Sequence, residues 1–291
     1  MIKNYFKTAW RNLWKNKTFS AINIFGLSVG IAAFLLIINY LRFEYSYDDD
    51  HVKKDRIFRV PMITTEKDGK EQTFAFTYPA LAPALKKDFP EVEEAARFRR
   101  QGGIVVYGEQ RILENGSLYY ADPSLFKIFS FQFVKGNATT AFKELNDAVI
   151  TAETAKKYFG NADPIGKALF YQNENYIVKA VLEDIPANSH IRFNILLNYD
   201  KYIQLTQGNA NTSWGWSDFY TYVLLKQGAS AKSLQAKLPA FAERHIGERM
   251  KNIVAMKDPE IEINVKELIP GTYFLKVESN SHSSMHPFIK E

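Results

Sequence analysis

Residues 21–40 read AINIFGLSVGIAAFLLIINY, with no charged side chain and only Asn23, Ser28 and Asn39 strongly polar. At 1.5 Å per residue, about 20 apolar residues in a helix span about 30 Å, the thickness of a bilayer's hydrocarbon core. Gly26 and Gly30 are compatible with this, because spanning helices carry glycine more often than soluble ones. A signal peptide fits less well: its apolar core is shorter, and no small-x-small cleavage site follows here. The stretch predicts one membrane-spanning helix over 21–43, flanked by interfacial Tyr40 and Tyr45.

Lys3, Lys7, Arg11, Lys15 and Lys17 precede this helix without an acid among them, and they account for the whole net charge of +5. Residues 21–291 are therefore neutral in sum. The basic character belongs to one short segment and argues against a nucleic-acid surface. Basic residues beside a span stay in the cytoplasm. This places 1–20 inside and 44–291 outside. Within 2–15, Ile2, Phe6, Ala9, Trp10, Leu13 and Trp14 recur at helical spacing, while the basic residues recur at four on another face. That pattern predicts an amphipathic helix lying in the membrane plane, its lysines near anionic headgroups. The chain has no cysteine, so the outer domain is held by its core, to which 22 Phe and 16 Tyr contribute.

The outer region reads as α+β. Residues 56–64 predict a strand, 78–88 a helix and 92–100 a second strand, which together make a β-α-β unit. Residues 219–226, 230–248 and 261–265 repeat that order. Two such units form a four-stranded sheet with two helices on one face. The expected organisation is lobe 1 from 53–100 and 217–266, an inserted lobe 2 from 101–212 bounded by Gly102-Gly103, and a polar tail over 267–291. Within the insert, 104–107 and 111–119 predict a hairpin turning at Gly108-Glu109, and Thr151 is a plausible cap for a helix over 152–158.

Several residue groups invite a chemical reading. Asp48, Asp49, Asp50 and His51 contain metal-ligand types, but adjacent carboxylates on an exposed turn read better as a solvated connector. Asp184, Ser189, His190 and Asp200 hold the residue types of a hydrolase, yet no G-x-S-x-G elbow is present. His282 and His286 are four apart in a serine-rich end. Gly102-Gly103 lacks the order of a phosphate loop, and no Walker A motif occurs. The expectation is a non-enzyme with no catalytic, cofactor or metal residues.

Several motifs, taken together, resemble MacB/FtsX-type ABC transporter permeases, especially those of Bacteroidetes. They are Trp10-Arg11-Asn12-Leu13, Asn16-Lys17, Phe19-Ser20, residues 22–27, Glu44-x-Ser46-Tyr47-Asp48 and residues 55–60. Further along come Asp122-Pro123-Ser124-Leu125-Phe126, residues 155–160, Asp163-Pro164-Ile165-Gly166-Lys167, Asp184-Ile185-Pro186-x-Asn188-Ser189-His190, Trp216 and residues 222–226. The resemblance covers roughly 1–265. It implies a bacterial inner-membrane protein with its N-terminus in the cytoplasm and a two-lobed periplasmic core domain. One lobe of that domain is built from split β-α-β units. The implied partners are a cytoplasmic ABC ATPase subunit, a second copy or a paired permease subunit, a periplasmic or outer-membrane component, and the lipid bilayer.

The family's three later spans, its cytoplasmic coupling segment and its Pro-Leu-Thr-Asp-Ile-His-Leu run are not found in the sequence, which reads as a truncated member. Three readings stand in order of preference. The first is a subunit coupling a separate ATPase to its periplasmic domain, in an exporter or a mechanotransmission complex. The second is an anchored binding or scaffold protein without transport activity, and the third is an extracytoplasmic hydrolase.

Overall fold

The computed structural model describes residues 2–65, 70–247, 271–279 and 282–290. Two compact units divide after Lys237. The first opens with α1, Ile2–Lys15, and α2, Lys17–Tyr45. Asn16, at φ −114° and ψ 56°, breaks the helical path between them. Among the described residues of this unit, none buries a side chain of α2. Its 29 residues rise about 43 Å at 1.5 Å each, longer than the apolar stretch read from the sequence because the interfacial turns are helical too. On α1, Phe6, Trp10 and Trp14 are all exposed.

The strands of the first unit are β1 (Ile57–Val60), β2 (Met62–Thr65), β3 (Glu71–Phe74), β4 (Val92–Tyr107), β5 (Gln110–Ala121), β6 (Phe133–Lys135), β7 (Asp147–Thr151), β8 (Ala168–Tyr171), β9 (Glu174–Leu182), β10 (Ile195–Asn198) and β11 (Phe219–Leu225). Its remaining helices are α3 (Leu81–Asp88), α4 (Leu125–Ile128), α5 (Ala152–Phe159), α6 (Tyr199–Leu205) and α7 (Asn209–Thr212). Helix α8 (Ala231–Ala242) runs across the boundary between the units. Among the described residues one sheet runs in the order β1-β11-β4-β5-β10-β7-β9-β6, with β8 pairing β4 and β9. Ile57 lies opposite Leu224 and Arg59 opposite Tyr222 in the antiparallel β1–β11 pair, and β11 in turn pairs β4. The two ends of the expected split unit are thus hydrogen-bonded neighbours although more than a hundred residues separate them.

Side-chain alternation splits the core between the two faces of this sheet. Tyr120, Ala148, Ile150, Ile195 and Leu197 face one cluster, which Tyr158 and Phe159 of α5 and Tyr199 and Tyr202 of α6 help to fill. Ala121, Val149, Leu196, Tyr222 and Leu224 face the other, with Leu125 and Ile128 of α4 and the adjoining Phe129. Because β7 and β10 are buried along their whole length, they carry continuous apolar runs instead of alternating ones.

The structure corrects several expected boundaries. The single strand over 56–64 is broken at Pro61, which has no N–H to give a ladder, and β2 leaves the sheet to pair β3. Helix α3 begins at Leu81, not at 78, so that Pro83 falls in its first turn, where an N–H has no intrahelical partner. Strand β4 does not stop at 100. It runs through Gly102-Gly103 to Tyr107, with its register shifted between Gln101 and Gly102. Gly103 has φ +146°, and a Cβ there would lie 3.1 Å from the Tyr171 ring, so glycine suits both the backbone and the packing. Strands from both expected lobes therefore belong to one sheet.

In the second unit, the end of α8 passes into a π-helical turn, Glu243–Gly247. Residues 267–291, read as a polar tail, contain an antiparallel pair, β12 (Gly271–Ser279) and β13 (His282–Lys290). The expected strand 261–265 lies outside the described residues.

Arg97 on β4 holds the centre of the first unit. Its Nε and Nη2 donate to the two oxygens of Asp122 at 2.8 and 2.9 Å, and Nη1 donates to Pro79 O, Ala210 O and Asn211 Oδ1. The guanidinium lies 4.1 Å from the centre of the Tyr199 ring. Arg97 is 5% exposed and Asp122 8%, so each charge depends on the other for compensation. Arg97→Met strands a buried carboxylate and is expected to cost about 3–5 kcal/mol. A lowered urea midpoint for the full chain in detergent micelles checks this, and an unchanged midpoint contradicts it.

Candidate functional site

The helix end is where two of the motif segments, residues 44–48 and 184–190, meet. Ser46 closes α2, its N–H bonding back to the carbonyl of Arg42. The chain then turns through Asp48, at φ +58°, a left-handed conformation that aspartate tolerates better than most residues. Asn188 reaches this turn from the loop after β9, its Nδ2 donating to Ser46 O at 2.7 Å and to Ser46 Oγ at 3.0 Å. In return, the Asp48 N–H donates to Asn188 O at 3.0 Å. Ser189 Oγ and His190 N both donate to Asp48 Oδ1, and His190 Nδ1 lies 2.6 Å from Asp48 Oδ2. The carboxylate only accepts, so Nδ1 carries the proton. In the neutral ring Nε2 then accepts from the Tyr222 hydroxyl at 2.9 Å. The path runs from the last turn of α2, through a loop 142 residues away in sequence, to strand β11.

The next residues dock onto the segment after α4. The His51 ring packs against Phe129 and Phe131 at centroid distances of 4.9 and 5.7 Å, and His51 Nδ1 accepts from Ser130 N at 3.3 Å. Val52 N donates to Ser130 Oγ, and Lys53 Nζ to Lys127 O. Lys127 also pairs Glu94 at the base of β4. Burial outweighs the nearby Asp48 and Asp50 and holds the His51 imidazole below its ordinary value, with His190 adding to that effect. Burial likewise pushes the Tyr222 phenol up. An open cleft of about 440 Å³ lies here, lined by Asp48, Asp49, His51, Lys54, Phe129 and His190 among others.

Asp48, His190 and Tyr222 form an acid–imidazole–hydroxyl line, but the chemistry of a nucleophile is missing from it. The hydroxyl is a buried phenol whose proton is held more tightly than usual. Of the other residues read as a hydrolytic set, Ser189 donates to Asp48. Asp184 is elsewhere: its Oδ1 accepts the Glu153 N–H at 2.7 Å, in the first turn of α5. Asp200 sits in the first turn of α6, its carboxyl raised by burial. The acidic run is also divided, with Asp48 turned to His190 and Asp49 to Lys54. His282 and His286 lie on β13, apart from these groups in the chain. The residues that sequence reasoning missed are Asn188, as the donor to the helix end, and His51, as a seated ring. Asn188 lies in one of the motifs that carry the family resemblance, and Ser46 and Asp48 in another.

A long apolar helix that passes directly into a mixed sheet domain defines the class: a folded domain carried on a candidate membrane span. The family described as MacB-like periplasmic core domain matches residues 20–241, and the chain belongs to it. This agrees with the MacB/FtsX-type permease resemblance of the sequence. A solved domain assigned to a permease protein from Porphyromonas gingivalis is 25% identical, with TM-score 0.58, over 67% of this chain and 84% of that one. The periplasmic region of MacB from Actinobacillus actinomycetemcomitans is 15% identical, with TM-score 0.48, over 68% and 91%. The extracellular domain of the ABC-type transporter YknZ from Gram-positive bacteria is 15% identical, with TM-score 0.40, over 62% and 86%. A comparison with curated proteins finds no match.

Asn188→Ala removes two hydrogen bonds to the helix end, each worth about 0.5–1.5 kcal/mol. Exchange of the Asp48 amide in the full chain is expected to quicken about tenfold, with the amides of β7 and β10 unchanged. Equal loss of protection throughout the sheet would show that Asn188 serves general stability instead of the joint.

Proposed function

We propose that this chain is a non-catalytic membrane subunit of an ATP-driven exporter or mechanotransmission complex, coupling a separate cytoplasmic ABC ATPase to its periplasmic domain. The observation that carries this reading is the joint. The end of α2 is tied to the sheet by backbone, carboxylate and imidazole contacts, so displacement or rotation of the helix is passed to β11 and β4 instead of being lost in a slack linker. Family membership supports the same role. The basic α1, with Phe6, Trp10 and Trp14 exposed, suits the cytoplasmic interface, where lysines meet anionic headgroups and tryptophans settle at headgroup level. In this proposal 1–20 is cytoplasmic and 44–291 periplasmic. The part of the sheet contributed by residues 101–212 tilts against β1 and β11 about the register shift at Gln101/Gly102. The working assembly contains a second copy or a paired permease, and its outer lobe meets a periplasmic or outer-membrane component.

The alternative is an anchored binding or scaffold protein. Both readings use α2 as the anchor, since it is long and apolar enough to cross a membrane. Two measurements decide. With Lys7→Cys and Gln227→Cys as separate variants, a membrane-impermeant thiol reagent applied to intact cells is expected to label position 227 and spare position 7. The opposite pattern overturns the orientation. Affinity purification of the full chain from its native membranes is expected to bring down an ABC ATPase carrying a Walker A motif. Recovery of the chain without any ATPase favours the scaffold.

A further inference from the structure

The proposed coupling makes the seating of the segment just after α2 a control point. His51 is the residue that seats it. The ring is 8% exposed, lies against Phe129 and Phe131, and has Nδ1 aimed at the Ser130 N–H. That contact exists only while Nδ1 is unprotonated, because a protonated Nδ1 would set N–H against N–H and bring a charge into an apolar seat. Val52 and Lys53 bind the same segment in succession, so His51 cannot leave without loosening them.

We infer that His51 is a proton-operated latch: the neutral ring seats the post-helix segment on the sheet domain, and acidification releases it. The groups facing the ring come from three elements. Asp48 and Asp50 on its own segment favour a proton. His190, from the loop after β9, opposes one. The segment after α4 presents Phe129, Ser130 and Phe131, which are uncharged, and the carbonyl of Lys127 is already engaged by Lys53. Elsewhere in the cleft Asp49 is paired with Lys54, and Asp55 also lines it. Burial of the ring is the largest influence and acts against the proton.

The seated state therefore binds a proton less readily than the released state, in which the ring meets water. Seating is fully present above the ordinary histidine value near 6.5 and weakens as pH falls below it. His190 lies in the same cleft, so its own substitution separates its influence from that of His51.

The latch rests on the joint being the tie between helix and sheet, and one experiment separates the two ideas. Hydrogen exchange at the Val52 amide is followed on the full chain in detergent micelles between pH 7.5 and 5.5, corrected for intrinsic exchange chemistry. The opening constant is expected to rise below pH 6.5, by up to about tenfold per pH unit. His51→Phe, which keeps an aromatic ring in the seat, is expected to flatten that slope, and His190→Gln to leave it in place. Carbon NMR of the wild-type His51 ring, which needs no variant, is expected to show Nδ1 unprotonated at pH 7.5. A flat wild-type profile, a slope surviving in His51→Phe, or a slope lost in His190→Gln alone overturns the latch. Asn188→Ala at pH 7.5 tests the joint independently, so a pH-insensitive wild type with a loosened Asn188→Ala leaves the joint standing and removes only the switch.

Discussion

A helix leaving a bilayer ends in carbonyls that have lost their intrahelical donors, and everything after the span depends on how these groups are satisfied. Here the carbonyl of the closing Ser46 is taken by Asn188, and the turn that follows is fixed by Asp48 accepting from Ser189 and His190. The helix's own next turn supplies part of the cap, with Tyr47 N donating to Glu44 O and Asp49 N to Ser46 O, and Asn188 adds a donor from the folded domain. It makes the end of the span and the start of the sheet one structural object. Replacing the Asn188 amide by solvent would satisfy the same carbonyl and break the continuity.

The parts legible in the sequence were those whose signal is local. The span and the amphipathic helix before it are written in runs and periodicities of fewer than thirty residues. Thr151 was readable as a cap, and its hydroxyl does accept from Thr154 N. Strands β3 and β8 are four residues each, too short for alternation to be distinctive. Helix α6 starts from Asn198, whose side chain accepts from Asp200 N, but the apolar run of β10 leads straight into it and hides the boundary. The joint was the least legible part. Asp48 read as part of a solvated connector and His190 as a member of an incomplete hydrolytic set because each owes its role to the other, and nothing within either segment reports a partner 142 residues away. The only sequence trace was indirect: both segments belonged to the motifs that carry the family resemblance.

Two buried polar knots keep the sheet in one piece while the joint loads one end of it. Arg97 and Asp122 bind β4 to the turn after β5 and to α7. On the other half, buried Glu114 of β5 receives Lys157, Tyr158, Ser117 and Asn194. Burial works to raise that carboxyl, and the hydrogen bonds outweigh it, so it stays below the ordinary carboxylate value. Groups of this kind cost most when one partner is removed. They oppose sliding between neighbouring strands more specifically than apolar packing does.

The length of β4 adds a mechanical consequence. Its base is tied through Glu94 and Lys127 to the segment that seats His51, and its far end is the hairpin tip at Tyr107. Sixteen residues at about 3.3 Å each make an arm of about 50 Å, so a tilt of about 5° at the base sweeps the tip through about 4 Å. That approaches the 5.4 Å pitch of a helical turn, and because β4 is paired with β11 and β5 the neighbouring strands move with it. Under the proposed coupling, a small movement at the base of β4 is passed to the hairpin as a displacement large enough to make or break a contact.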